Sequence, residues 1–166
     1  FVLTSCSKLN TQKDSDTQNK IEAKASDYLI MSTLWYQMSA ERNALCYQSF
    51  NWASKMMDTY LDEIQEEEKP AVVVDIDETM LDNSPYEGMC INNNVSYTSE
   101  TWKTWCDSAI AKPVPGALEF CNYAFEKGVT VFYVSNRKVS ELEVTMRNME
   151  ELGFPYIDST NFLLKT

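Results

Sequence analysis

The stretch Ala71-Val-Val-Val-Asp-Ile-Asp-Glu-Thr79 joins a run of β-branched residues to two carboxylates that stand two positions apart. Three consecutive valines after Pro70 predict a short strand that is covered on both faces, as in the parallel sheets of α/β proteins. Asp75 and Asp77 follow at its carboxyl end, where such sheets bind their ligands. The stretch therefore predicts an active-site strand. A strand followed by an acidic, solvated turn would explain the aspartates but not the residues that follow later in the chain.

Two later strands are predicted to end in residues that can bind an anion. The segment Val129 to Asn136 ends in the small polar residues Ser135 and Asn136, and Phe162 to Lys165 ends in a lysine. Helical segments separate the strands, so we predict an α/β fold with a parallel, Rossmann-like sheet and right-handed crossovers. The carboxyl ends of these strands would bring Ser135 and Lys165 to the same crevice as the two aspartates.

Helical periodicity and capping residues predict the remaining core elements. A first helix is predicted from Lys20 to Met38, a second from its cap at Ser39 to about Glu66, a third from Ala117 to Lys127 before Gly128, and a fourth from the capping box Ser140-Glu-Leu-Glu143 to Leu152.

The aromatic residues of the second helix allow two interpretations. Trp52 and Tyr60 could contribute to an apolar rim for a substrate, or they could pack in the core between the helices and the α/β body. Core packing is the favoured interpretation, because large aromatic side chains usually supply buried area.

The segment from residue 83 to residue 112 is too long for a simple connection between a strand and a helix, so it predicts an insertion over the active site. Ser99 is predicted to cap a short helix that carries Trp102 and Trp105 and is ended by Pro113.

The chain then divides into a leader and tether (1–19) and a single domain (20–166). That domain comprises a helical extension (20–69), the first strand with its motif (70–82), the insertion (83–112) and the remaining core (113–166).

Composition excludes several classes of function. The net charge of -11 argues against a nucleic-acid polymer as partner, and small anionic substrates would need a local cation such as a bound metal. The chain contains no histidine, which excludes histidine phosphatases, Ser-His-Asp hydrolases and Cys-His proteases. Five cysteines show no Cys-x-x-Cys spacing, which excludes a zinc ribbon or a thioredoxin motif and leaves open the pairing of Cys46, Cys90, Cys106 and Cys121. Carboxylate chemistry with a hard metal ion is the best represented alternative.

The run Asp75-Ile-Asp-Glu-Thr-Met-Leu-Asp-Asn-Ser-Pro-Tyr86 contains the Asp-x-Asp-x-Thr motif of the haloacid-dehalogenase (HAD) superfamily. The whole run resembles the class C acid phosphatases, a family of bacterial lipoproteins, and Leu34-Trp-Tyr-Gln-Met-Ser-Ala-Glu41 resembles the N-terminal helical region of the same family. The resemblance implies a magnesium-dependent acid phosphatase that hydrolyses small phosphate monoesters such as nucleoside monophosphates or aryl phosphates.

The resemblance also implies a role for each predicted site residue. Asp75 would be the nucleophile that forms an aspartyl phosphate, Asp77 would be the general acid and base, and both would help to hold Mg²⁺. Ser135, Asn136 and Lys165 would bind the phosphate oxygens. In the insertion, Tyr86 and Trp102 would stack on the nucleoside or aryl group of the substrate, or they would simply anchor the insertion.

The beginning of the chain suggests a lipid anchor. Leu3-Thr-Ser-Cys6 resembles a bacterial lipobox, in which Cys6 would be lipidated and Phe1 to Ser5 would be the end of a signal peptide. The polar residues 7–19 have the composition of a solvated tether. These features predict a protein anchored to the membrane of the bacterial cell envelope, the alternative being an ordinary disordered start that contains a cysteine.

The family's fourth motif, a pair of aspartates after a fourth strand, has no counterpart before Thr166. We therefore expect a truncated copy with an incomplete sheet, an unpaired edge at Val72 to Val74, weak magnesium binding and association into homo-oligomers. Two further functions stay open: a non-catalytic surface lipoprotein that binds a nucleotide or an aromatic ligand, and an inactive truncated homologue.

Overall fold

The computed structural model describes residues 27–65 and 67–166. Cys6, the tether 7–19 and the first residues of the helix predicted from Lys20 lie outside this part of the chain. After a short 3₁₀ turn, Asp27–Leu29, the elements in chain order are α1 (Ile30–Met38), α2 (Ala40–Leu61), β1 (Ala71–Asp75), β2 (Leu81–Asp82), α3 (Ser84–Asn93), α4 (Ser99–Ser108), β3 (Lys112–Pro113), α5 (Ala117–Glu126), β4 (Thr130–Lys138), α6 (Leu142–Leu152) and β5 (Phe162–Lys165).

A parallel sheet of three strands in the order β1-β4-β5 forms the centre of the described chain. β1 pairs with β4 from Ala71 opposite Thr130 to Asp75 opposite Val134, and β4 pairs with β5 through Ser135 opposite Leu164. The short strands β2 and β3 form a separate antiparallel pair. The predicted α/β fold with a parallel sheet is thus confirmed.

The hydrophobic core lies between this sheet and the helices. Fully buried residues include Ile76, Met80, Leu81, Ala117, Cys121, Ala124, Val131, Tyr133 and Met149. Most of them come from the loop after β1, from α5 and from β4. The core therefore holds in place the loop that carries Asp77 and the strand that carries Ser135.

The start of α2 follows the prediction, and its end does not. The hydroxyl of Ser39 accepts a hydrogen bond from the backbone amide of Arg42 at 3.1 Å, as expected of an N-terminal cap. The helix ends at Leu61, earlier than the predicted Glu66.

The prediction that Trp52 and Tyr60 pack in the core is wrong. The two side chains are 61% and 51% exposed. α2 packs mainly against α5, and the residues that it turns inward recur at helical spacing as Arg42, Cys46, Phe50, Ala53, Met57 and Leu61. Trp52 and Tyr60 fall outside this stripe, and the packing of one helix face on one neighbour cannot bury them.

Burial of β1 on both faces is also wrong for the described residues. Val72 and Val74 pack against the core, whereas Val73, which points to the other face, is 66% exposed. Within residues 27–65 and 67–166, β1 has a hydrogen-bonded neighbour strand on one side only, which is β4. The described elements cover the face of β1 that carries Val72 and Val74 and leave the opposite face open, which explains the exposure of Val73.

The insertion forms the two helices α3 and α4, and the cap of α4 differs from the prediction. Thr98, not Ser99, precedes the helix, and its hydroxyl accepts a hydrogen bond from the amide of Thr101 while the hydroxyl of Thr101 accepts one from the amide of Thr98. This reciprocal pair satisfies two amides that the first turn of a helix leaves free. The helix ends at Ser108, before Pro113.

The capping box predicted from Ser140 to Glu143 is not formed. A 3₁₀ turn, Val139–Glu141, separates β4 from α6, and the Glu141 carboxylate accepts a hydrogen bond from the backbone amide of Lys138 at 2.8 Å. The Glu141 carboxylate thus caps the 3₁₀ turn, and α6 begins directly after this turn, at Leu142. Gly153 ends α6 in the left-handed conformation that favours glycine, with φ of 86°.

Cys46, Cys90, Cys106 and Cys121 are free thiols. Burial raises the pKa of the Cys106 and Cys121 thiols to about 12, so both stay protonated at neutral pH. None of the helices in the described ranges combines the length and the apolar character needed to cross a bilayer.

Candidate active site

A tight loop at the end of β1 presents the two predicted aspartates. The carbonyl oxygen of Ile76 accepts hydrogen bonds from the amides of Met80 and Leu81, both at 2.8 Å, and the amide of Glu78 donates to the carbonyl of Leu81 at 2.8 Å. Glu78 takes up a left-handed backbone conformation with φ of 57°, which is uncommon for a residue other than glycine. Asp77 therefore lies within a loop that its own backbone hydrogen bonds and the buried Ile76 hold in one shape.

Helix α1 braces the outside of this loop. The hydroxyl of Tyr36 donates to the carbonyl of Glu78 at 3.3 Å, and the guanidinium of Arg42 lies over the Tyr36 ring at 3.9 Å from its centroid. Arg42 is 5% exposed, and one of its terminal nitrogens lies 3.5 Å from the Asp82 carboxylate. Nε and Nη2 of Arg42 have no hydrogen-bond partner among the described residues. The cation–π contact with Tyr36 and the ion pair of Nη2 with Asp82 therefore have to offset the cost of burying the charge.

The Asp77 carboxylate is the centre of a polar network that joins three parts of the chain. Its Oδ1 accepts from Nε and Nη2 of Arg137 at 3.0 and 2.8 Å and from Nδ2 of Asn83 at 2.9 Å. Its Oδ2 accepts from the hydroxyl of Ser135 at 3.1 Å. The structure thus brings Asp77 and Ser135 together, as the sequence predicts.

Asp75 faces a different environment. It is the last residue of β1, it is exposed, and its Oδ2 accepts a hydrogen bond from the hydroxyl of Thr79 at 3.2 Å. The carboxylate has no cation beside it within the described ranges. The Asp75 carboxylate, which is exposed and among the described residues is bound only by the neutral hydroxyl of Thr79, is free to approach a substrate.

Arg137 is buried, with 4% of its surface exposed, at the end of β4. Burial lowers the pKa of its guanidinium, but the hydrogen bonds and the charge of Asp77 raise it, and the net change is upward. The charged form of Arg137 is therefore maintained by a short bidentate contact, which is the strong form of such a pair.

The structure does not bring the side chains of Asn136 and Lys165 to Asp77. Successive residues of β4 alternate between faces, so Asn136 points away from the face that carries Ser135 and is exposed. Lys165 is exposed at the end of β5, in register with Lys138 of β4. In residues 27–65 and 67–166 its ammonium makes no ion pair with either aspartate.

The two aromatic candidates of the insertion differ in exposure. Tyr86 is 1% exposed, its hydroxyl is 2.9 Å from that of Thr101, and the edge of its ring meets the ring of Trp102 at 5.3 Å. It anchors the insertion and does not present a face to a ligand. Trp102 is half-buried, and its ring faces the Arg137 guanidinium at 5.5 Å.

A cavity of about 290 Å³ opens between α1 and α4 beside the loop. Trp102 and Tyr36 supply aromatic walls, and Asn83 and Glu78 connect the cavity to the polar network. The lining residues are Leu29, Ser32, Thr33, Tyr36, Glu78, Asn83, Ser84, Glu87 and Trp102. Its size suits a ring of the dimensions of a phenyl group or a nucleobase.

The donor set for a metal ion at the end of β1 consists of oxygen atoms only. The Asp75 carboxylate and the backbone carbonyl of Asp77 are hard ligands, which suit a cation such as Mg²⁺ that often uses one or two protein carboxylates and fills its other positions with water and phosphate oxygens. The described residues contain no cluster of three or more acidic, cysteine or histidine ligands that could hold a metal alone. The residues therefore fit a hard cation that is shared with a substrate.

Two residues of the network, Arg137 and Asn83, are not predicted from the sequence. Strand alternation could have identified Arg137, because it stands two positions after Ser135 and so lies on the same face of β4. Asn83 carries no such signal, since the fold of the loop and the position of Trp105 decide where its amide points.

A family model described as HAD superfamily, subfamily IIIB (acid phosphatase), matches residues 2–166. The chain belongs to the HAD superfamily, subfamily IIIB. The predicted resemblance to the acid phosphatases is thereby confirmed.

Two solved structures of a class C acid phosphatase from Bacillus anthracis are similar to this member of subfamily IIIB. The first is 38% identical, with a TM-score of 0.81, and the match covers 85% of this chain and 59% of that one. The second, which has tungstate bound, is also 38% identical, with a TM-score of 0.83, and covers 87% and 60%. The chain thus spans about three fifths of the length of these relatives. HAD phosphatases generally use a divalent metal.

The carboxyl group of Glu78 provides a test of the loop structure. Partial desolvation raises the pKa of Glu78, with further contributions from the charges of Asp77 and Asp82, whereas hydrogen bonds from Asn83 lower it. The folded protein therefore holds this proton more tightly than the unfolded chain does. The resulting stability is present below the ordinary pKa of a glutamate and is lost as the pH rises through the raised pKa.

We expect the free energy of unfolding of Glu78→Gln, measured relative to that of the wild type, to be higher at about pH 7.5 than at about pH 4. The reason is that glutamine cannot ionise and so avoids the cost that the wild type bears at the higher pH. Urea unfolding at the two pH values measures this difference. Glu126→Gln, at an exposed position of α5, controls for the loss of one negative charge. A difference that is constant with pH, or larger at low pH, would contradict the assigned environment of Glu78.

Proposed function

We propose that this protein is a magnesium-dependent acid phosphatase that hydrolyses phosphate monoesters through an aspartyl-phosphate intermediate. The observation that carries the proposal is the arrangement at the end of β1. There an exposed Asp75 stands beside Asp77, and Asp77 is bound to Ser135 and Arg137 of the neighbouring strand. Membership of subfamily IIIB and the tungstate bound by a relative, an oxyanion like phosphate, support the same chemistry.

In the first step an oxygen of the Asp75 carboxylate attacks phosphorus, and the bond between phosphorus and the ester oxygen breaks. Asp77 gives a proton to the departing oxygen, so the alcohol or phenol leaves in neutral form. The exposure of Asp75 suits this role, because its carboxylate has only the Thr79 hydroxyl to give up when it approaches the phosphate.

In the second step a water molecule attacks the phosphorus of the aspartyl phosphate. Asp77 accepts a proton from that water, the bond between Asp75 and phosphorus breaks, and inorganic phosphate leaves with the Asp75 carboxylate restored. The Asp77 carboxylate therefore returns to the protonation state in which it began. Ser135, whose hydroxyl now binds Asp77, would turn that hydroxyl to a phosphate oxygen when substrate is present.

Magnesium would be held by the carboxylate of Asp75 and the backbone carbonyl of Asp77. The Asp77 carboxylate would keep its Oδ1 on Arg137 and Asn83 and would exchange protons at Oδ2 once the Ser135 hydroxyl has turned to the phosphate, so the ligand that Asp77 offers to the ion is its backbone carbonyl. When bound, the ion would neutralise charge on the phosphate and bring it to the nucleophile. A local cation is required in a chain whose net charge is -11, since the substrate is itself an anion.

The substrate class that fits is a phosphate monoester whose leaving group carries an aromatic ring, either an aryl phosphate or a nucleoside monophosphate. The cavity between α1 and α4 begins at Asn83 and Glu78 and has the Trp102 ring as one wall. Trp102 would stack on the aromatic group, and Lys165 and Asn136 would reach the phosphate only after a change of conformation.

We expect Asp75→Asn to abolish phosphoenzyme formation, because a carboxamide is a poor nucleophile and a weaker metal ligand. Asp77→Asn should slow turnover by about 10²- to 10⁴-fold, the usual contribution of general acid–base catalysis. A chelator should stop hydrolysis of an aryl phosphate, and added Mg²⁺ should restore it. Release of phosphate from an aryl phosphate by the purified protein measures turnover in each case, and acid-stable, hydroxylamine-labile phosphate on the protein measures phosphoenzyme formation.

Asp107→Asn provides a matched control, because Asp107 is an exposed aspartate of α4 that pairs with Lys103 outside the site. Acid-stable, hydroxylamine-labile phosphate on the Asp75 variant would contradict the role of Asp75. Activity that survives the chelator would contradict the metal requirement, and a wild-type protein that binds an aryl ligand without hydrolysing aryl phosphates would favour a binding function.

We also propose that the protein is attached to the membrane of the bacterial cell envelope through acyl groups on Cys6. When the chain is expressed in a bacterium behind a complete lipoprotein signal peptide, the protein should fractionate with the membrane, since each buried methylene contributes about 0.8 kcal/mol. Cys6→Ser should release it in soluble form, while Cys46→Ser should not. A Cys6 variant that stays bound to the membrane would refute the proposal.

A further inference from the structure

The position of the Asp77 carboxylate is determined by more contacts than a surface carboxylate usually makes. Arg137 contacts both of its oxygens, with Nε 3.0 Å from Oδ1 and 3.2 Å from Oδ2 and with Nη2 2.8 Å from Oδ1. Asn83 adds a donor from the loop side and Ser135 one from β4. Three directions of approach leave the carboxylate little freedom to rotate.

Arg137 is itself fixed. Its Nη1 donates to the hydroxyl of Thr145 at 3.0 Å, and that hydroxyl donates to the carbonyl of Glu141 at 2.8 Å. Thr145 is fully buried in α6, and the ring of Trp102 covers the guanidinium from the insertion. Each of the three guanidinium nitrogens thus donates to an acceptor of the protein, so Arg137 is not directed at a substrate.

Asn83 has one possible orientation. The Nε1 of Trp105, which can only donate, is 2.8 Å from Oδ1 of Asn83. The amide nitrogen Nδ2 must then face the other way, toward Asp77 at 2.9 Å. Asn83 is 2% exposed, and its backbone amide donates to the Glu78 carboxylate at 3.0 Å, so its main chain is held as well.

We propose that Arg137, assisted by Asn83, is a positioning residue that sets the place of the Asp77 carboxylate for both proton transfers of the reaction. The inference rests on the proposed function, in which Asp77 exchanges protons with the leaving oxygen and with water. A side chain that exchanges protons must lie within hydrogen-bond distance of the reacting atom, so a carboxylate that turns away loses its effect. Arg137 acts through Asp77 and does not touch the substrate.

The proposal predicts an effect that depends on the leaving group. Phenyl phosphate releases a phenoxide that needs a proton, whereas dinitrophenyl phosphate releases a stable anion that does not, and both carry one aryl ring. The ratio kcat/KM reports the steps up to formation of the phosphoenzyme. A misplaced Asp77 should therefore lower kcat/KM for phenyl phosphate and leave that for dinitrophenyl phosphate nearly unchanged.

The experiment measures kcat and KM for both substrates, and inhibition by tungstate, in Arg137→Met, Arg137→Lys and wild type. In Arg137→Met we expect kcat/KM for phenyl phosphate to fall by about 10- to 100-fold, part of the range of general acid–base catalysis. For dinitrophenyl phosphate we expect kcat and KM to fall together, because slower attack of water leaves the phosphoenzyme in place. Arg137→Lys should lie between, since lysine keeps the charge but loses the planar pair of donors. The inhibition constant for tungstate should change by less than about threefold, because the three guanidinium nitrogens of Arg137 already donate to Asp77 and Thr145 and would not bind the oxyanion.

Two further variants keep the test decisive. Arg147→Met removes an exposed arginine of α6, which donates to the carbonyl of Asp107 outside the network, and it should leave all constants unchanged. Thr145→Val keeps the shape of a buried side chain but removes the acceptor for Nη1, and it should lower kcat/KM for phenyl phosphate selectively by a few-fold. If Arg137→Met does not fold, the Thr145 variant decides the question.

Equal losses of kcat/KM for the two substrates would overturn the proposal in favour of a structural role for Arg137. A large loss of tungstate inhibition would overturn it in favour of direct phosphate binding. These outcomes are distinct from a failure of the proposed function, in which the wild-type protein would hydrolyse neither substrate.

Discussion

The parallel pairing of β1 with β4 sets the geometry of the whole site. The register that sets Asp75 opposite Val134 places Ser135 and Arg137 beyond the end of β1, next to the loop that carries Asp77. The bidentate contact between Asp77 and Arg137 can form only because both strands point their carboxyl ends in the same direction. A change of register by one residue would turn Ser135 and Arg137 to the other face of the sheet.

Burial of the Arg137 guanidinium carries a desolvation cost that the network must offset. The Asp77 carboxylate does so from the loop after β1, the Thr145 hydroxyl from α6, and the Trp102 ring from the insertion. The insertion therefore has two effects on the site, because it forms one wall of the cavity beside the loop and also covers the arginine. Its stability matters to the chemistry in both ways, and the buried Tyr86, as the anchor of the insertion, contributes to both.

Local patterns in the sequence predict the three strands of the parallel sheet, the cap at Ser39 and the meeting of Asp77 with Ser135, because each rests on strand order or on residues close together in the chain. They do not predict the exposure of Trp52, which depends on which face of α2 meets α5, nor that of Val73, which depends on which face of β1 the described elements cover. The motif places Asn136 beside Ser135 in the chain, but strand alternation separates their side chains. The amide of Asn83 is oriented by Trp105, which lies 22 residues further along the chain.

The proposed mechanism requires the Asp75 carboxylate to become phosphorylated during turnover. Borohydride reduces an acyl phosphate to an alcohol, so protein quenched during turnover and treated in this way would carry homoserine in place of the phosphorylated aspartate. Mass spectrometry of the digested protein then locates the modified residue. We predict homoserine at position 75 and at no other aspartate. Modification at Asp77, or hydrolysis of the substrate without any modified aspartate, would contradict it.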